Sequence, residues 1–285
     1  MAIVEKVLFS TDFRELSFVV AQQLRVLAKA GMKELVFVYV IDRDDVSFDL
    51  ARGFDEDLAD KLTAEADARF TDWEKRLAED GIQARHRIEL GNPPVEIRRA
   101  ADDEAADLIV IGREAEKGFD RIYLDGVAMD VLRDSRYPVY VAKPRADDPS
   151  SDDRDHNPFQ RVLFATDFSD ASECAQGYLK GLASVVEEVD VLHVMSDRDP
   201  DPADEQIRLD SIAADLAGLG EIRTHVRRGR PTQEILRVRE AEDATLVIMG
   251  TTGKHGITEV FLGSCSHRVA EVSGVPVILV PGSRD

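Results

Sequence analysis

An internal repeat constrains the fold of this chain more than any other feature of its sequence. Residues 6–13, KVLFSTDF, return as residues 161–168, RVLFATDF. Residues 107–112, DLIVIG, return within residues 244–250, ATLVIMG. Two matched segments in the same order indicate one folding unit written twice. We therefore predict two copies of one domain.

Composition limits the class of protein. The length of 285 residues suits two domains, and the net charge of -20 disfavours nucleic acid and anionic membranes as partners. No run approaches the roughly 20 apolar residues of a membrane helix, and the start of the chain lacks a secretion signal pattern. The two cysteines, Cys174 and Cys265, form no disulfide framework. We expect a soluble cytoplasmic protein.

A charged segment separates the two copies. The stretch from Lys143 to Pro158 lacks an apolar set and contains three prolines, which is typical of a solvated linker. We predict a first domain at residues 1–145, a linker at residues 146–158 and a second domain at residues 159–285.

Hydrophobic patterning predicts the same alternation of strands and helices in both copies. Fully apolar runs before Gly112 and Gly250 are typical of strands buried on both faces. Alternating strands and helices imply parallel strands with right-handed crossovers. We predict an α/β fold of two tandem open parallel five-stranded sheets, each in the order 3-2-1-4-5 and flanked by helices. Among the predicted segments are helices at 16–30, 54–79, 95–104, 172–186, 204–219 and 232–242, second strands at 35–41 and 189–195, and third strands at 84–89 and 222–227.

The fifth strand of each copy would be an exposed edge. Exposed edges seek pairing partners, and two copies can meet around a pseudo-two-fold axis. We predict that strands at residues 139–142 and 277–280 form the junction between the copies.

The second copy carries a candidate anion site. Ligands of open α/β sheets bind at the carboxyl ends of the strands where the winding reverses, here beside Asp167 and Gly250. Gly250 and Gly253 would let backbone approach a ligand. Gly263 and Ser264 would open a helix whose free amides favour phosphate. Ser264 could serve as phosphate donor, as N-cap of that helix, or as both.

The spacing from Gly250 to Ser264, Gly-x2-Gly-x9-Gly-Ser, resembles the signature of the nucleotide-binding universal stress proteins. The resemblance extends over both copies. It includes the Thr-Asp-Phe turn at residues 11–13 and 166–168, the Gly-x-Pro step at residues 91–93 and 229–231, and the closing Pro-Val-Ile-Leu-Val at residues 276–280. It implies a tandem member with a Rossmann-like adenine nucleotide alpha hydrolase-like fold. It also implies ATP, alone or with Mg²⁺, in the second copy, self-association of whole chains and a protein partner.

The resemblance assigns Asp167 to adenosine, Val194 to adenine through its backbone, and the glycines with Ser264 to ribose and phosphates. Cys265 replaces the usual valine and Ala165 the usual proline. Without the loop, Asp167 alone would indicate a helix cap. Lys254 and His255 either reach phosphates or face solvent. The complete predicted set is Ala165, Thr166, Asp167, Val194, Met249, Gly250, Gly253, Lys254, His255, Gly263, Ser264 and Cys265.

The first copy departs from this pattern. Ala115 adds a side chain, Asp125 places a carboxylate where phosphate would meet amides, and Gly126 removes the hydroxyl. We therefore predict no ATP there. The positions that persist as structural remnants are Asp12, Tyr39 and Gly112.

No P-loop, GxSxG turn, HExxH helix or kinase signature occurs, so no catalytic constellation emerges. His86 and His225 lack partners at metal-ligand spacing, and we expect no metal site. The leading hypothesis is an ATP-binding stress-response or regulatory protein. The alternatives are a weak Mg²⁺-dependent ATPase and a scaffold that ignores nucleotide.

Overall fold

The computed structural model describes two halves joined through a single sheet. The first half comprises the described residues up to Lys143, and the second half comprises those from His156. The predicted linker therefore lies mostly outside the described residues. The described ranges are 4–13, 17–46, 55–112, 126–143, 156–196, 202–251 and 263–283.

Both halves alternate strands with helices in the same sequence. In the first half the elements are β1 (Lys6–Ser10), α1 (Ser17–Gln23), a 3-10 helix (Leu24–Ala30), β2 (Glu34–Asp42), α2 (Glu56–Glu79), β3 (Ala84–Gly91), α3 (Pro93–Glu104), β4 (Leu108–Ile111), α4 (Gly126–Asp134) and β5 (Val139–Val141). In the second half they are β6 (Arg161–Thr166), α5 (Asp170–Gly181), β7 (Glu188–Met195), α6 (Pro202–Asp215), β8 (Glu221–Arg228), α7 (Pro231–Ala241), β9 (Leu246–Gly250), α8 (Ser264–Val272) and β10 (Val277–Val280).

The strands form one ten-stranded sheet in the order β3-β2-β1-β4-β5-β10-β9-β6-β7-β8 within the described residues. Each half has the predicted order 3-2-1-4-5 with parallel neighbours. The two five-stranded sheets join into one as the predicted junction implies, because β5 and β10 pair antiparallel, with Tyr140 opposite Ile278. The predicted junction strands thus satisfy each other's backbone groups.

The core lies on both faces of this sheet. Alternate residues of a strand point to opposite faces, so Phe9 joins one cluster of buried side chains and Leu8 joins the other. Both clusters continue from one half into the other. At the junction, the ring of Tyr140 stacks on that of Phe159, with the ring centroids 5.9 Å apart.

Two predicted helices are shorter than expected. The helix predicted at residues 16–30 is α-helical only in α1 and continues as a 3-10 helix. Leu24, Leu27 and Ala30 are its buried residues, and their spacing of three suits the three-residue turn of a 3-10 helix. The helix predicted at residues 172–186 is α5, which ends at Gly181.

The largest difference between the halves is the predicted one: α2 has 24 residues and its counterpart α6 has 14. Trp73 and Phe70 on α2 pack into an aromatic cluster above β1 and β2. Among the described helices, none combines the length and apolar character required to cross a membrane.

Candidate functional site

A cavity opens at the carboxyl ends of β6 and β9, where the winding of the second half reverses direction. The amino ends of α5, α7 and α8 close around it. Its lining combines apolar side chains with a few polar groups, as small-molecule sites do. The lining residues are Ala165, Thr166, Asp167, Ser172, Leu192, Val194, Pro231, Ile235, Met249, Gly250, Thr251, Gly263, Cys265 and Ser266.

Most of the predicted site residues therefore share this cavity. Ser264 does not line it, because it is the exposed first residue of α8. Gly253, Lys254 and His255 lie outside the described residues. The predicted residues that line the cavity are Ala165, Thr166, Asp167, Val194, Met249, Gly250, Gly263 and Cys265.

Sequence reasoning missed several lining residues, although some carried a signal. Leu192 lies two positions before Val194, and alternation along a strand places both on one face. Ile235 lies one helical turn after Pro231, which ends the Gly-x-Pro step. The remaining missed residues are Ser172, Pro231, Thr251 and Ser266.

The Thr-Asp-Phe turn is formed by its own side chains. The amide of Phe168 donates to Thr166 Oγ1 at 3.0 Å, and Phe168 has a φ of 58°. The first half repeats this turn, since the amide of Phe13 donates to Thr11 Oγ1 at 3.0 Å and Phe13 has a φ of 63°. The turn is therefore a property of the fold in both halves.

Asp167 is not the cap of the following helix, contrary to what its position alone would indicate. The N-cap of α5 is Ser169, whose side chain accepts from the amide of Ser172 at 3.4 Å. The left-handed Phe168 delays the start of the helix and moves the cap two residues along. Asp167 Oδ1 instead accepts from the amide and hydroxyl of Ser169, at 3.1 and 2.6 Å. Its carboxylate thus orients the capping serine while it lines the cavity.

Gly250 is required by packing. A Cβ at this position would lie 2.7 Å from the backbone carbon of Ala171, 2.8 Å from its Cβ and 2.9 Å from the amide nitrogen of Ser172. The missing side chain therefore makes room for the first turn of α5, whereas the sequence suggested that it makes room for a ligand.

Hydrogen bonds to two carbonyls hold together the two ends of the segment between Thr251 and Gly263. The amide of Gly263 donates to the carbonyl of Thr251 at 2.7 Å. The hydroxyl of buried Ser266 lies 2.7 Å from that carbonyl and 2.9 Å from the carbonyl of Gly263. A hydroxyl has one proton, so it donates to one of them at a time. The matched position in the first half is Ala128, which has no hydroxyl.

The amino end of α8 faces the cavity. Gly263 is its N-cap, so the alternative that Ser264 is the cap is wrong. The amide of His267 makes the first bond within the helix, to the carbonyl of Gly263 at 2.9 Å. The three amides before His267 thus have no partner within the helix. No acidic residue occupies the first turn, so this end of the helix favours an anion.

His193 fixes the end of β7. Its Nδ1 donates to the carbonyl of Thr166 at 2.8 Å, and since a carbonyl only accepts, Nδ1 carries a proton. The imidazole also packs on the ring of Phe168, with centroids 4.5 Å apart. These contacts hold the strand so that Val194 reaches the cavity.

Cys265 is a neutral thiol. Burial raises its pKa, the hydroxyl of Thr232 partly opposes this by donating to Sγ at 3.6 Å, and the charge of Asp167 adds to the increase. The thiol is therefore protonated at pH 7 and is no activated nucleophile.

Both histidines of the third strands have carboxylate partners that sequence spacing did not reveal. His86 Nδ1 lies 2.6 Å from Glu74 Oε1, and His225 Nε2 lies 2.7 Å from Asp190 Oδ1. Asp190, His225 and Glu242 bring donor atoms within 4.8 Å of one another. The guanidinium of Arg223 already bonds both oxygens of Asp190, at 3.0 and 3.2 Å, so a cation of the protein stands where a metal ion would be held.

A basic corner lies beside the cavity. Arg227, Arg228 and Arg230 are exposed at the end of β8 and the start of α7, directly before cavity-lining Pro231. The matched residues 89–92 of the first half read ELGN. In a chain with a net charge of -20, this corner supplies local positive charge at the rim of the cavity.

The chain is similar in sequence and in structure to known proteins of one family. The model of the universal stress protein family matches residues 4–143 and 158–281. A solved structure of a universal stress protein from Archaeoglobus fulgidus is 30% identical, covers 98% of each chain and has a TM-score of 0.76. A universal stress protein of Methanocaldococcus jannaschii is 28% identical over 49% of this chain and 94% of its own length. One from Mycolicibacterium smegmatis is 31% identical over 62% of each chain.

Proposed function

Because the chain belongs to the universal stress protein family, as two tandem copies, we propose that it is an ATP-binding regulatory protein with one nucleotide site in the second half. The observation that carries the proposal is the cavity at the switch point, which ends at the free amides of α8. The sequence Gly-Ser at positions 263–264 places the family's signature at this helix end. We place the boundary between the two domains within residues 146–158.

The residues present fit an adenine nucleotide. An apolar wall of Leu192, Val194 and Ile235 suits a purine, and the Asp167 carboxylate suits ribose hydroxyls. The free amides that follow Gly263 suit phosphate oxygens, with or without Mg²⁺. The basic corner offsets part of the repulsion between a polyphosphate and an acidic chain. The first half lacks both the corner and the hydroxyls at the start of its last helix.

Binding without conversion is the expected activity. Among the described lining residues, the titratable side chains are Asp167 and Cys265. Asp167 is engaged by Ser169, and the Cys265 thiol is neutral, so neither is placed as a base for an attacking water. The regulatory output would be the binding of a protein partner. That partner would recognise the segment between Thr251 and Gly263, since both of these residues line the cavity.

The test is to identify nucleotide in freshly purified protein by mass spectrometry after denaturation, followed by calorimetric titration with ATP. We expect about one adenine nucleotide per chain. Changing Gly263→Asp and Ser264→Gly together gives the second half the residues of the first, and it should abolish binding. The matched control is Gly126→Ser in the first half, which should leave binding unchanged. Undiminished affinity in the double variant would refute the site.

The same preparations separate the alternatives. Release of phosphate from ATP with Mg²⁺, lost in the double variant, would identify a weak ATPase. Absence of both copurified nucleotide and a titration signal would favour a scaffold that ignores nucleotide. Size-exclusion chromatography with light scattering, with and without ATP, tests the self-association that the family resemblance implies.

A further inference from the structure

A buried lysine of the first half reaches the second half at the end of α8 remote from the cavity. Lys143 follows β5 and is 5% exposed. Its Nζ donates to the carbonyl of Ala270 at 2.5 Å and lies 3.4 Å from the carbonyl of Glu271. Both carbonyls belong to the last turn of α8, where unpaired carbonyls carry the negative end of the helix dipole. A buried ammonium requires such compensation.

Lys143 supplies a cation to the carboxyl end of α8 from outside the helix. α8 has no basic residue in its last turn, whereas the matched helix α4 has Arg133. The second half itself contributes the amide of Ser273, which donates to the carbonyl of Val269. The repeat aligns Lys143 with Pro281, which has no donor, so the contact exists in one direction only.

The two ends of α8 have different tasks. The helix has nine residues, a length at which it depends on tertiary contacts for stability. Its amino end lines the cavity through Gly263, Cys265 and Ser266. We propose that Lys143 is a positioning residue through which the first half fixes the phosphate-binding end of α8 in the second half. This inference rests on the proposed nucleotide site.

The mechanism predicts a selective effect on phosphate recognition. Amides bind a polyphosphate well only when the helix that presents them is held in place, so loosening α8 should weaken binding of the phosphates. The apolar wall and Asp167 belong to other elements and would still bind adenosine. Coupling is reciprocal, so bound ATP should also protect the carboxyl end of α8 from hydrogen exchange.

The experiment compares ATP with adenosine by calorimetry in wild-type protein, Lys143→Met and Lys143→Arg. We expect Lys143→Met to weaken ATP binding about fivefold, to leave adenosine binding unchanged and to lose the ATP-dependent protection of α8. Lys143→Arg restores a cation and should recover most of the loss. Lys143→Gln replaces the methionine variant if that variant does not fold.

The control is Phe159→Leu. This variant weakens the junction by disturbing the stack of Phe159 on Tyr140, in the core cluster that contains Phe9. It should lower unfolding stability without changing the ratio of ATP to adenosine affinity. An unchanged ratio in Lys143→Met, with wild-type protein binding ATP, overturns the role of Lys143 alone. An equal change in the Phe159→Leu control also overturns it, because the effect would then be one of general stability. Wild-type protein that does not bind ATP overturns the proposed function and this inference together.

Discussion

The same turn follows the first strand of each half, but different residues begin the last helix. Phe13 and Phe168 both have positive φ, and the amide of each donates to the hydroxyl of a threonine two residues earlier. In contrast, α8 begins with SCS at residues 264–266, whereas α4 begins with GVA at residues 126–128. The turn shapes the backbone of both halves, and the hydroxyls at the helix start belong to the second half alone.

This difference separates requirements of the fold from requirements of the site. Gly250, which is matched by Gly112 in the first half, is explained by backbone packing through its contact with Ala171. A residue found only in the second half needs another reason, and Ser266 is the clearest case because it ties two carbonyls beside the cavity. A glycine of the nucleotide-binding signature can therefore serve packing.

The largest expected effect comes from Gly250→Ala. Its new Cβ would lie under 3 Å from backbone atoms of Ala171 and Ser172, which cannot move without shifting α5. We expect a loss of roughly 3 kcal/mol in the free energy of unfolding of nucleotide-free protein, measured by urea denaturation.

The matched control is Gly177→Ala on α5, where a Cβ meets nothing within 4 Å. Alanine is the better helix former, so this variant should be as stable as the wild type or slightly more stable. If Gly250→Ala matched it, the space at Gly250 would be reserved for a ligand, and the distinction between fold and site would fail there.

The second prediction converts a site residue of the second half into its first-half counterpart. Ser266→Ala removes the hydroxyl that Ala128 also lacks, leaving the carbonyl of Gly263 without this donor. We expect about 1.5 kcal/mol lower stability. We also expect roughly tenfold weaker ATP binding by calorimetry, because the first turn of α8 loses its side-chain bond to these carbonyls and only the amide of Gly263 still holds Thr251.

Ser135→Ala is the control for this variant. Ser135 is also buried, lies after α4 in the first half, and donates to the carbonyl of Tyr137 at 2.8 Å. It should lower stability by a similar amount while ATP affinity stays within twofold of the wild type. Equal loss of affinity in both serine variants would contradict a specific role for Ser266.

The sequence predicted the strand order and the junction because the two copies repeat the same apolar runs. The sequence did not predict that α1 changes to a 3-10 helix at Leu24. Buried residues that lie three positions apart also fit an α-helix over this distance. The fifth strands, predicted to meet at the junction, pair antiparallel and make one sheet.

For the site, the motif located the strand ends but not the hydrogen bonds. The cap of α5 moved to Ser169 because Phe168 adopts a left-handed conformation, which no spacing rule encodes for phenylalanine. Ser266 and Thr251 were missed because their role depends on two carbonyls that meet only in the folded chain. Lys143 was treated as the first residue of the charged segment between the copies, since a contact with residues 270–271 has no local signature.

The smallest expected effect concerns two matched ion pairs on the outer strands β3 and β8, Arg85 with Glu104 and Arg223 with Glu242. Hydrogen bonds from Arg85 lower the pKa of Glu104 to about 2, from 4.5, despite partial desolvation. A lowered pKa stabilises the fold above pH 4.5, and this contribution is lost as pH falls towards 2. In urea denaturation, Glu104→Gln should therefore lower the free energy of unfolding by about 1 kcal/mol at pH 7, and this gap to the wild type should close below pH 4.5.

The matched Glu242 lies 3.9 Å from Arg223 Nε, so Glu242→Gln should show a smaller gap in the free energy of unfolding. Equal gaps in both variants at all pH values would remove this difference between the halves.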